Sequence, residues 1–407
     1  MSMEQLDKAL MATVSGGNRP DTTARLMGVL AKHGISVRDI RQSALQNRFW
    51  QAFVLDKGEL EDASDHVIKD LLMEVNDLGL SIDLQLVSPG EVGKDLHPGW
   101  YVFTLFGDTQ ALAELSRVLA EEGGNINSIS TAFHHGIRST EMVVDLGAAS
   151  HIHRAKERIM ARSRDLGVDM GVQTMTAYRK NKRLVFFDVD STLVDMEIID
   201  EMAREAGTFS EVSRVTARAM RGEFDFEESL IQRVALVKGL TLDQLAGIRD
   251  RMQLSDGVEE LVTTLKWLGF KLGLISGGFD FFTDHLKERL GFDVAVANGL
   301  EIAKGRLTGR LRGDVVDAAM KARIVNQTAC DLNIRLDQTV VIGDGANDAL
   351  MLGQAGLGIA YNAKKTLDRV ANAALGKRHM LHILHLLGIT EEDISEACQC
   401  KSEDTAT

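Results

Sequence analysis

The sequence predicts an α/β domain, a doubly wound parallel sheet with a helical cap, preceded by two βαββαβ domains. From residue 181 to 396, buried-strand patterns alternate with long helical patterns, which is typical of a parallel sheet covered by helices. A stretch at about 198–251 contains consecutive helical patterns without a strand and predicts the cap, an insertion over the carboxyl ends of the strands. In front of this domain, one pattern of strands and helices occurs twice.

The repeated pattern has a constant offset, with Leu30 aligned on Leu119, 89 residues later. Each copy contains a strand, a glycine-containing turn, an amphipathic helix, two strands, a second helix and a last strand. This is the order of a ferredoxin-like domain, so we expect two such domains, at 8–88 and 99–178. The polar, proline-bracketed stretch between them is predicted to be a linker.

A glycine before the first helix and another before the following β-branched strand give each copy a pattern that resembles the ACT domain. In many amino-acid metabolic enzymes this module binds a free amino acid at a domain interface. The resemblance implies four candidate regulatory ligand positions, Gly17, Asn18, Gly107 and Asp108. The same residue types also suit strand-to-helix turns, where glycine adopts positive φ and Asn or Asp caps the helix, so both interpretations stay open.

In the α/β domain, the apolar run Leu184–Phe187 leads directly into Asp188, Val189 and Asp190, followed by two hydroxyl residues. This pattern predicts a buried parallel strand whose carboxyl end opens onto a reaction centre. Such a cluster of hard oxygen ligands suits Mg²⁺ and phosphate. An acidic strand end without a ligand is the alternative interpretation of an isolated Asp-x-Asp.

Three later stretches support a site at this sheet edge. A second buried-strand pattern, 271–275, is followed by Ser276-Gly277-Gly278, whose hydroxyl and backbone N–H groups could bind an anion. Lys321 lies in a predicted helix that begins near Val315. A third strand pattern, 339–342, then leads into Gly343-Asp344-Gly345-Ala346-Asn347-Asp348.

Asp188, Ser276, Lys321 and Asp344, in this order, resemble the four motifs of the haloacid dehalogenase superfamily of phosphohydrolases. Residues 188–197, 220–234, 275–279 and 343–348 further resemble the phosphoserine phosphatase family within it, and the likeness covers about 180–388. The resemblance implies a HAD-like catalytic domain, Mg²⁺ as cofactor and O-phospho-L-serine as substrate. It also implies hydrolysis through an aspartyl-phosphate as the last step of serine biosynthesis.

Each acidic motif residue then has an expected role. Asp188 is the expected nucleophile, because a carboxylate with an ordinary pKa of about 3.9 is ionised at neutral pH. Asp190, crowded beside it, is expected to have a raised pKa and to carry the proton of the leaving group. The expected metal ligands are Asp188, the carbonyl of Asp190, and Asp344, with Asp348 orienting Asp344 or a metal-bound water.

The expected substrate pocket combines groups for phosphate with groups for a free amino acid. Ser276, Gly277 and Lys321 are expected to stabilise the phosphoryl oxygens. Glu197 and Arg233 could match an ammonium and a carboxylate, although a surface ion pair on a helix is the alternative. The residues expected to bind substrate are Glu197, Met220, Phe226, Arg233, Ser276, Gly277, Lys321 and Asn347.

Composition excludes some classes of partner. The net charge is −13 and aromatic residues make up 5% of the chain, which argues against binding to nucleic acid or to an anionic membrane surface. The first residues lack a signal-peptide pattern, and no apolar run reaches the ~18 residues of a membrane span, so we expect a cytoplasmic protein. Cys330, Cys398 and Cys400 form no plausible disulfide framework, and the last two lie in a tail, 397–407, predicted to be disordered.

Three alternatives remain for the function as a whole. The protein could be a phosphatase of the same superfamily for another small phosphomonoester, a phosphotransferase, or a non-catalytic amino-acid sensor. The complete acidic set argues against the sensor. We expect a homodimer or higher even oligomer formed through residues 1–178, with L-serine as a candidate regulatory ligand. His379, His382 and His385 are expected to form a surface or packing stripe on a helix.

Overall fold

The computed structural model describes residues 9–56, 66–87, 99–134, 136–149, 151–363, 367, 369–376, 379–390, 392–393 and 395–396. The chain divides into two compact units, 1–97 and 98–407. The expected linker and the expected disordered tail, with Cys398 and Cys400, lie outside the described residues.

The first unit is an antiparallel sheet with two helices on one face. Its elements are β1 (Ala9–Gly17), α1 (Thr22–Lys32), β2 (Val37–Leu45), β3 (Arg48–Asp56), α2 (His66–Asp77) and β4 (Ser81–Val87). The strand order β2-β3-β1-β4 is the ferredoxin-like order. Alternate residues of β1 point inward, and they pack with the buried leucines of both helices into one core.

The second unit begins with the same arrangement. Its elements are β5 (Trp100–Phe106), α3 (Thr109–Glu121), β6 (Asn125–His134), β7 (Ile137–Asp145), α4 (Ile152–Asp165) and β8 (Asp169–Thr174). The strand order β8-β5-β7-β6 repeats that of the first unit. Because β3 starts at Arg48 and β7 at Ile137, the corresponding strands are 137 − 48 = 89 residues apart, the offset found in the sequence.

The rest of the second unit is the doubly wound domain. Its strands are β9 (Leu184–Phe187), β10 (Lys271–Phe279), β11 (Val294–Ala303), β12 (Arg306–Arg312), β13 (Thr339–Gly343), β14 (Leu357–Tyr361) and β15 (Ala373–Leu375). Its helices are α5 (Ile198–Ala206), α6 (Phe209–Met220), α7 (Phe226–Leu236), α8 (Leu242–Asp250), α9 (Val258–Trp267), α10 (Asp280–Leu290), α11 (Ala318–Asp331), α12 (Ala349–Gln354) and α13 (His382–Leu387). The strand β9 is central and pairs in parallel with β10 and β13. All four of its residues are buried, because helices cover both faces of the sheet.

Helices α5 to α8 form the cap and occupy the stretch in which the sequence predicted helices without a strand. Two local sequence patterns predict element starts that need correction. Gly34-Ile-Ser-Val37 predicts a strand, but the strand begins only at Val37. Asp256, followed three residues later by Glu259, predicts a helix N-cap, but the helix begins at Val258 with Gly257 as its N-cap. Gly257 has a φ of 83°, a left-handed conformation that glycine adopts without steric cost.

The two parts of the second unit share one sheet. The short strand β15 pairs antiparallel with β8, through Ala373 with Gly171 and Ala374 with Met170. The result is a continuous 11-stranded sheet, β12-β11-β10-β9-β13-β14-β15-β8-β5-β7-β6. No residue pattern indicated this continuity between the second ferredoxin-like domain and the α/β domain.

Helix α13 reinforces this junction. The ring of His382 stacks on Phe106 of β5, with 4.4 Å between ring centroids. His385 Nδ1 lies 3.0 Å from the hydroxyl of Ser139 on β7. Both histidines are buried packing residues, and His379 is exposed. Within the described part of the chain, no helix is long and apolar enough to cross a membrane.

Candidate active site

Polar side chains from three neighbouring strands meet at the carboxyl edge of the sheet. Asp188 follows β9, Ser276 lies in β10, and Asp344 follows β13. Parallel strands end at the same edge, which is why residues far apart in sequence converge here. The N–H of Asp188 donates to the Ile342 carbonyl at 2.8 Å, and the Asp188 side chain is buried.

Lys321 provides the buried cation of the site. Asp317 caps α11 by accepting the N–H of Met320 at 2.7 Å, which places Lys321 one turn into the helix. Its Nζ lies 2.7 Å from Oδ1 of Asp188 and 2.7 Å from Oδ1 of Asp348. Burial alone would lower the pKa of Lys321, but the two carboxylates outweigh this effect and raise it, so the ammonium stays charged.

Three carboxylates form a cluster suited to a cation. Asp188, Asp344 and Asp348 each place an oxygen within 4.8 Å of the others. Burial, followed by the charge of Asp348, raises the pKa of Asp188 well above its usual range and that of Asp344 to about 6. One ammonium leaves the cluster with excess negative charge, and hard oxygen ligands in this number fit a divalent cation such as Mg²⁺.

The carboxylate of Asp190 is not part of this cluster. It accepts hydrogen bonds from the N–H of Ile198 at 2.8 Å and from the hydroxyl of Ser276 at 3.2 Å. Burial raises the pKa of Asp190. Asp190 is therefore a fixed carboxyl group with an increased tendency to hold a proton.

Residues 276–278, here called the anion loop, are tightly packed. The N–H of Gly278 donates to Oγ of Ser276 at 2.8 Å. A Cβ atom at Gly278 would lie 2.6 Å from Oδ2 of Asp190, and one at Gly277 would lie 3.1 Å from the ring of Phe226. Glycine is required at 278 because a side chain there would displace the carboxyl group of Asp190.

The cap and the sheet edge enclose a cavity of about 570 Å³. Among its lining residues are Asp188, Asp190, Glu197, Met220, Phe226, Arg233, Gly277, Asp344 and Asn347. Ser276 and Lys321 are fully buried beneath this cavity wall and do not line it. Met220, at the end of α6, lines the cavity although it is 68% exposed.

Two side chains of opposite charge line the cap side of the cavity. Glu197 accepts the Ser191 hydroxyl at 2.8 Å, and desolvation, followed by the charge of Asp190, raises the pKa of Glu197 to about 7. Arg233 donates from Nε to the Ser229 carbonyl at 3.3 Å, and burial lowers its pKa. Within the described residues, Arg233 forms no ion pair with a carboxylate, so its guanidinium is available to an anionic ligand.

The ACT-like candidate positions lie elsewhere. Gly17 ends β1, and the N–H of Asn18 donates to the Asn47 carbonyl at 3.0 Å. Asp108 caps α3 by accepting the N–H of Ala111 at 2.9 Å, which accounts for this residue structurally. Gly107 precedes this cap. A ligand at these positions stays a prediction.

Two residues of the site had no role assigned from the sequence. Thr192 donates its hydroxyl to Oδ1 of Asp344 at 3.4 Å, and Ser191 orients Glu197 from a backbone with a φ of 55°. The only signal for them was the pair of hydroxyls after Asp190.

Family models match two segments of the chain. The model described as haloacid dehalogenase-like hydrolase matches residues 182–356, and the ACT domain model matches residues 8–85.

Several curated relatives are phosphoserine phosphatases. The chain is 37% identical to the one from Streptomyces coelicolor, over 95% of this chain and 94% of the relative. It is 34% identical to the one from Mycobacterium tuberculosis, over 96% and 95%. It is 47% identical to the one from Archaeoglobus fulgidus, over 62% and 74%.

Solved structures show the same likeness. A haloacid dehalogenase family hydrolase from Salmonella enterica serovar Typhi matches with a TM-score of 0.63 at 26% identity, over 71% of this chain and 98% of that one. A probable phosphoserine phosphatase from Vibrio cholerae matches with a TM-score of 0.58 at 31% identity, over 74% and 89%.

Proposed function

The chain belongs to the phosphoserine phosphatases of the haloacid dehalogenase-like hydrolases, and we propose that it hydrolyses O-phospho-L-serine to L-serine and phosphate with Mg²⁺, as the last step of serine biosynthesis. The observation that carries this proposal is the composition of one cavity. It holds carboxylates and the anion loop at the sheet edge, and, on the cap beside Glu197, Arg233, which forms no ion pair with a carboxylate of the described residues.

The phosphoryl group fits the sheet side of this cavity. The Gly277 N–H of the anion loop and the buried ammonium of Lys321 can stabilise the charge that spreads over its oxygens in the transition state. Both are held by the protein before substrate arrives, so no reorganisation is needed during the reaction.

Asp188 is the proposed nucleophile. One of its carboxylate oxygens would attack phosphorus, the P–O bond to serine would break, and an aspartyl-phosphate would form. Water would then attack the same phosphorus and release phosphate, which restores Asp188. Lys321 bonds one oxygen of the carboxylate, and this contact orients the group.

Asp190 is the proposed general acid and base. Serine alkoxide is a poor leaving group, so its oxygen must be protonated as the P–O bond breaks. The raised pKa of Asp190 favours the protonated form that can supply this proton, and the same group can accept a proton from water in the second step. The bonds from Ile198 and Ser276 keep its carboxyl group in place.

Asp188, Asp344 and the carbonyl of Asp190 are the proposed ligands of Mg²⁺, with Asp348 as the third carboxylate of the cluster. When bound, the cation would offset repulsion between carboxylate and phosphate. Both oxygens of Asp348 already accept bonds, from Lys321 and from the Gly345 N–H at 3.0 Å, so this residue orients its neighbours.

The amino-acid part of the substrate fits the cap side. Arg233 could bind the carboxylate, and Glu197 the ammonium, while Phe226 and Met220 bound the pocket. The test is phosphate release from O-phospho-L-serine and from phosphoethanolamine, which lacks the carboxylate. We expect the wild type to prefer O-phospho-L-serine strongly. Arg233→Ala should abolish this preference, because the substrate carboxylate would be buried without its partner, which costs roughly 2–5 kcal/mol. Equal rates for both substrates would favour a general phosphatase.

We also propose a homodimer or higher even oligomer formed through residues 1–178, with L-serine as a regulatory ligand of the ACT-like domains. The strand β6 supports assembly, because it is one of the two edge strands of the 11-stranded sheet as described and contains no Lys, Glu, Asp or Pro to discourage pairing. Light scattering and activity with and without millimolar L-serine test both statements. A monomer with no response to serine beyond competitive product inhibition would contradict them.

A further inference from the structure

Asn298 lies on β11 behind the anion loop and is 1% exposed. Its side-chain nitrogen donates to the carbonyl oxygens of Gly277 at 2.8 Å and Gly278 at 3.1 Å. Its side-chain oxygen accepts the N–H of Val316 at 2.8 Å. One buried amide therefore connects the loop to the segment that leads into α11.

The two connected segments carry two of the groups that the proposed function assigns to the phosphoryl oxygens. The anion loop ends β10 and offers the Gly277 N–H. Val316 directly precedes Asp317, the N-cap of α11, and Lys321 follows one turn later. Because β10 and α11 are separate elements, something must fix the distance between the loop N–H groups and the Lys321 ammonium. Among the described contacts, the Asn298 amide is the side chain that bonds both segments.

We propose that Asn298 is a positioning residue, which holds the anion loop and the start of the Lys321 helix at the separation that the phosphoryl transition state requires. The inference rests on the proposed function of the site as a phosphoryl-transfer centre. The residue type follows from the contacts, because an amide of this length offers two donors to the carbonyls and one acceptor to the N–H. Misplacement of catalytic groups by a fraction of an ångström reduces the rate of the chemical step more than it reduces substrate binding.

The test uses full-length Asn298→Asp and Asn298→Ser. The Asp variant keeps an acceptor for the Val316 N–H but places an oxygen, instead of the NH₂ group, against the Gly277 and Gly278 carbonyls. The Ser variant keeps a hydroxyl, which can donate and accept, on a shorter side chain. We expect kcat to fall at least 10-fold in Asn298→Asp and less in Asn298→Ser, with KM changed less than threefold. The inhibition constant of orthovanadate, which mimics the five-coordinate phosphoryl group, should rise by a factor similar to the loss of kcat.

Leu300→Ala is the matched control. Leu300 lies on the same strand, is 4% exposed and packs in the core, so its truncation should lower the melting temperature without changing kcat or vanadate inhibition. If Asn298→Asp lowers the melting temperature but leaves kcat and vanadate inhibition as in Leu300→Ala, the role is structural and the proposal is overturned. If Asn298→Asp does not fold, Asn298→Ser decides by the same criteria.

The substrate is the phosphomonoester that the wild type hydrolyses fastest in a panel that includes O-phospho-L-serine and p-nitrophenyl phosphate. A wild type that prefers another ester contradicts the proposed substrate, while the role of Asn298 is still decided. A wild type that hydrolyses none of them contradicts both proposals.

Discussion

The ammonium of Lys321 lies 2.7 Å from a carboxylate oxygen of Asp188, and both side chains are almost completely shielded from solvent. The contact joins the first turn of α11 to the end of the central strand β9. The same nitrogen also lies 2.7 Å from Asp348, so one cation serves two buried carboxylates. Burial, followed by the charge of Asp348, raises the pKa of Asp188 even though a lysine touches it.

Replacement of Lys321 by alanine should abolish phosphate release and destabilise the fold. Two buried carboxylates would lose their counter-charge, and breaking a buried ion pair costs about 3–5 kcal/mol. The raised pKa of Asp188 means that the folded state binds protons more tightly than the unfolded chain, so the unfolding free energy of the variant should increase as the pH falls from 8 toward 5.

Urea denaturation at several pH values measures this effect. Lys271→Ala is the control, because Lys271 pairs with Asp293 at 2.8 Å on the surface, where an ion pair contributes about 0–1 kcal/mol. Equal losses of stability in the two variants would contradict the assigned role of Lys321.

Mg²⁺ should stabilise the protein in the absence of substrate. Burial, followed by repulsion from Asp348, raises the pKa of Asp344 to about 6. A bound cation would offset both effects, so the melting temperature at pH 8 should rise with Mg²⁺ and fall in EDTA. In EDTA, Asp344→Asn should be more stable than the wild type, because it removes one of the repelling charges. The variant should show little stabilisation by Mg²⁺ and little activity.

Asp293→Asn is the control for this experiment, since Asp293 lies outside the cluster and binds Lys271 and the Leu272 N–H. It should keep the full response to Mg²⁺. An undiminished response in Asp344→Asn would place the cation elsewhere.

The pH dependence of kcat/KM should report Glu197. Its pKa of about 7 in the free enzyme means that the carboxylate, the form that binds an ammonium, is lost as the pH falls through that value. We therefore expect kcat/KM for O-phospho-L-serine to decrease below pH 7 in the wild type. In Glu197→Gln, kcat/KM for O-phospho-L-serine should be lower at neutral pH, and its pH dependence should reflect only the ionisation of the remaining groups.

Phosphoglycolate, which has no ammonium, provides the comparison. The two enzymes should give parallel profiles with it. A Glu197→Gln profile identical to that of the wild type with O-phospho-L-serine would exclude Glu197 from ammonium binding.

Removal of the first ferredoxin-like domain alone should have a smaller effect than removal of both. A chain that starts at Pro98 keeps the 11-stranded sheet intact, so it should fold and release phosphate. A chain that starts at Tyr178 loses β8 beside β15 and uncovers the face of α13 that packs on Phe106. We expect a markedly lower melting temperature or aggregation for the shorter chain, measured by differential scanning calorimetry. Equal melting temperatures would show that the junction adds no stability.

The strands of the α/β domain could be predicted from the sequence, whereas the junction of that domain with the second ferredoxin-like domain could not. Strands such as β9 and β13 are continuous apolar runs that end in acidic residues, so their position and their carboxyl ends follow from the residues alone. The three-residue strand β15 has no such signal, because Ala373–Leu375 is too short to show a hydrophobic period. Its pairing with β8 depends on the three-dimensional approach of two domains.

The positioning role of Asn298 was also missed in the sequence. Its three partners are backbone groups 18 to 21 residues away, and backbone groups leave no trace in sequence.

The central claim is that Asp188 attacks phosphorus. Rapid acid quenching of the enzyme with O-phospho-L-serine, followed by peptide mass spectrometry, tests it most directly, with Asp188→Asn assayed beside the wild type. The account predicts an acid-stable, hydroxylamine-sensitive phosphoryl group on the peptide that contains Asp188. It also predicts that Asp188→Asn folds but retains less than about a hundredth of the wild-type activity, because an amide is no nucleophile. A phosphoryl group on another residue, or an Asp188→Asn enzyme that is still active above that level, would contradict it.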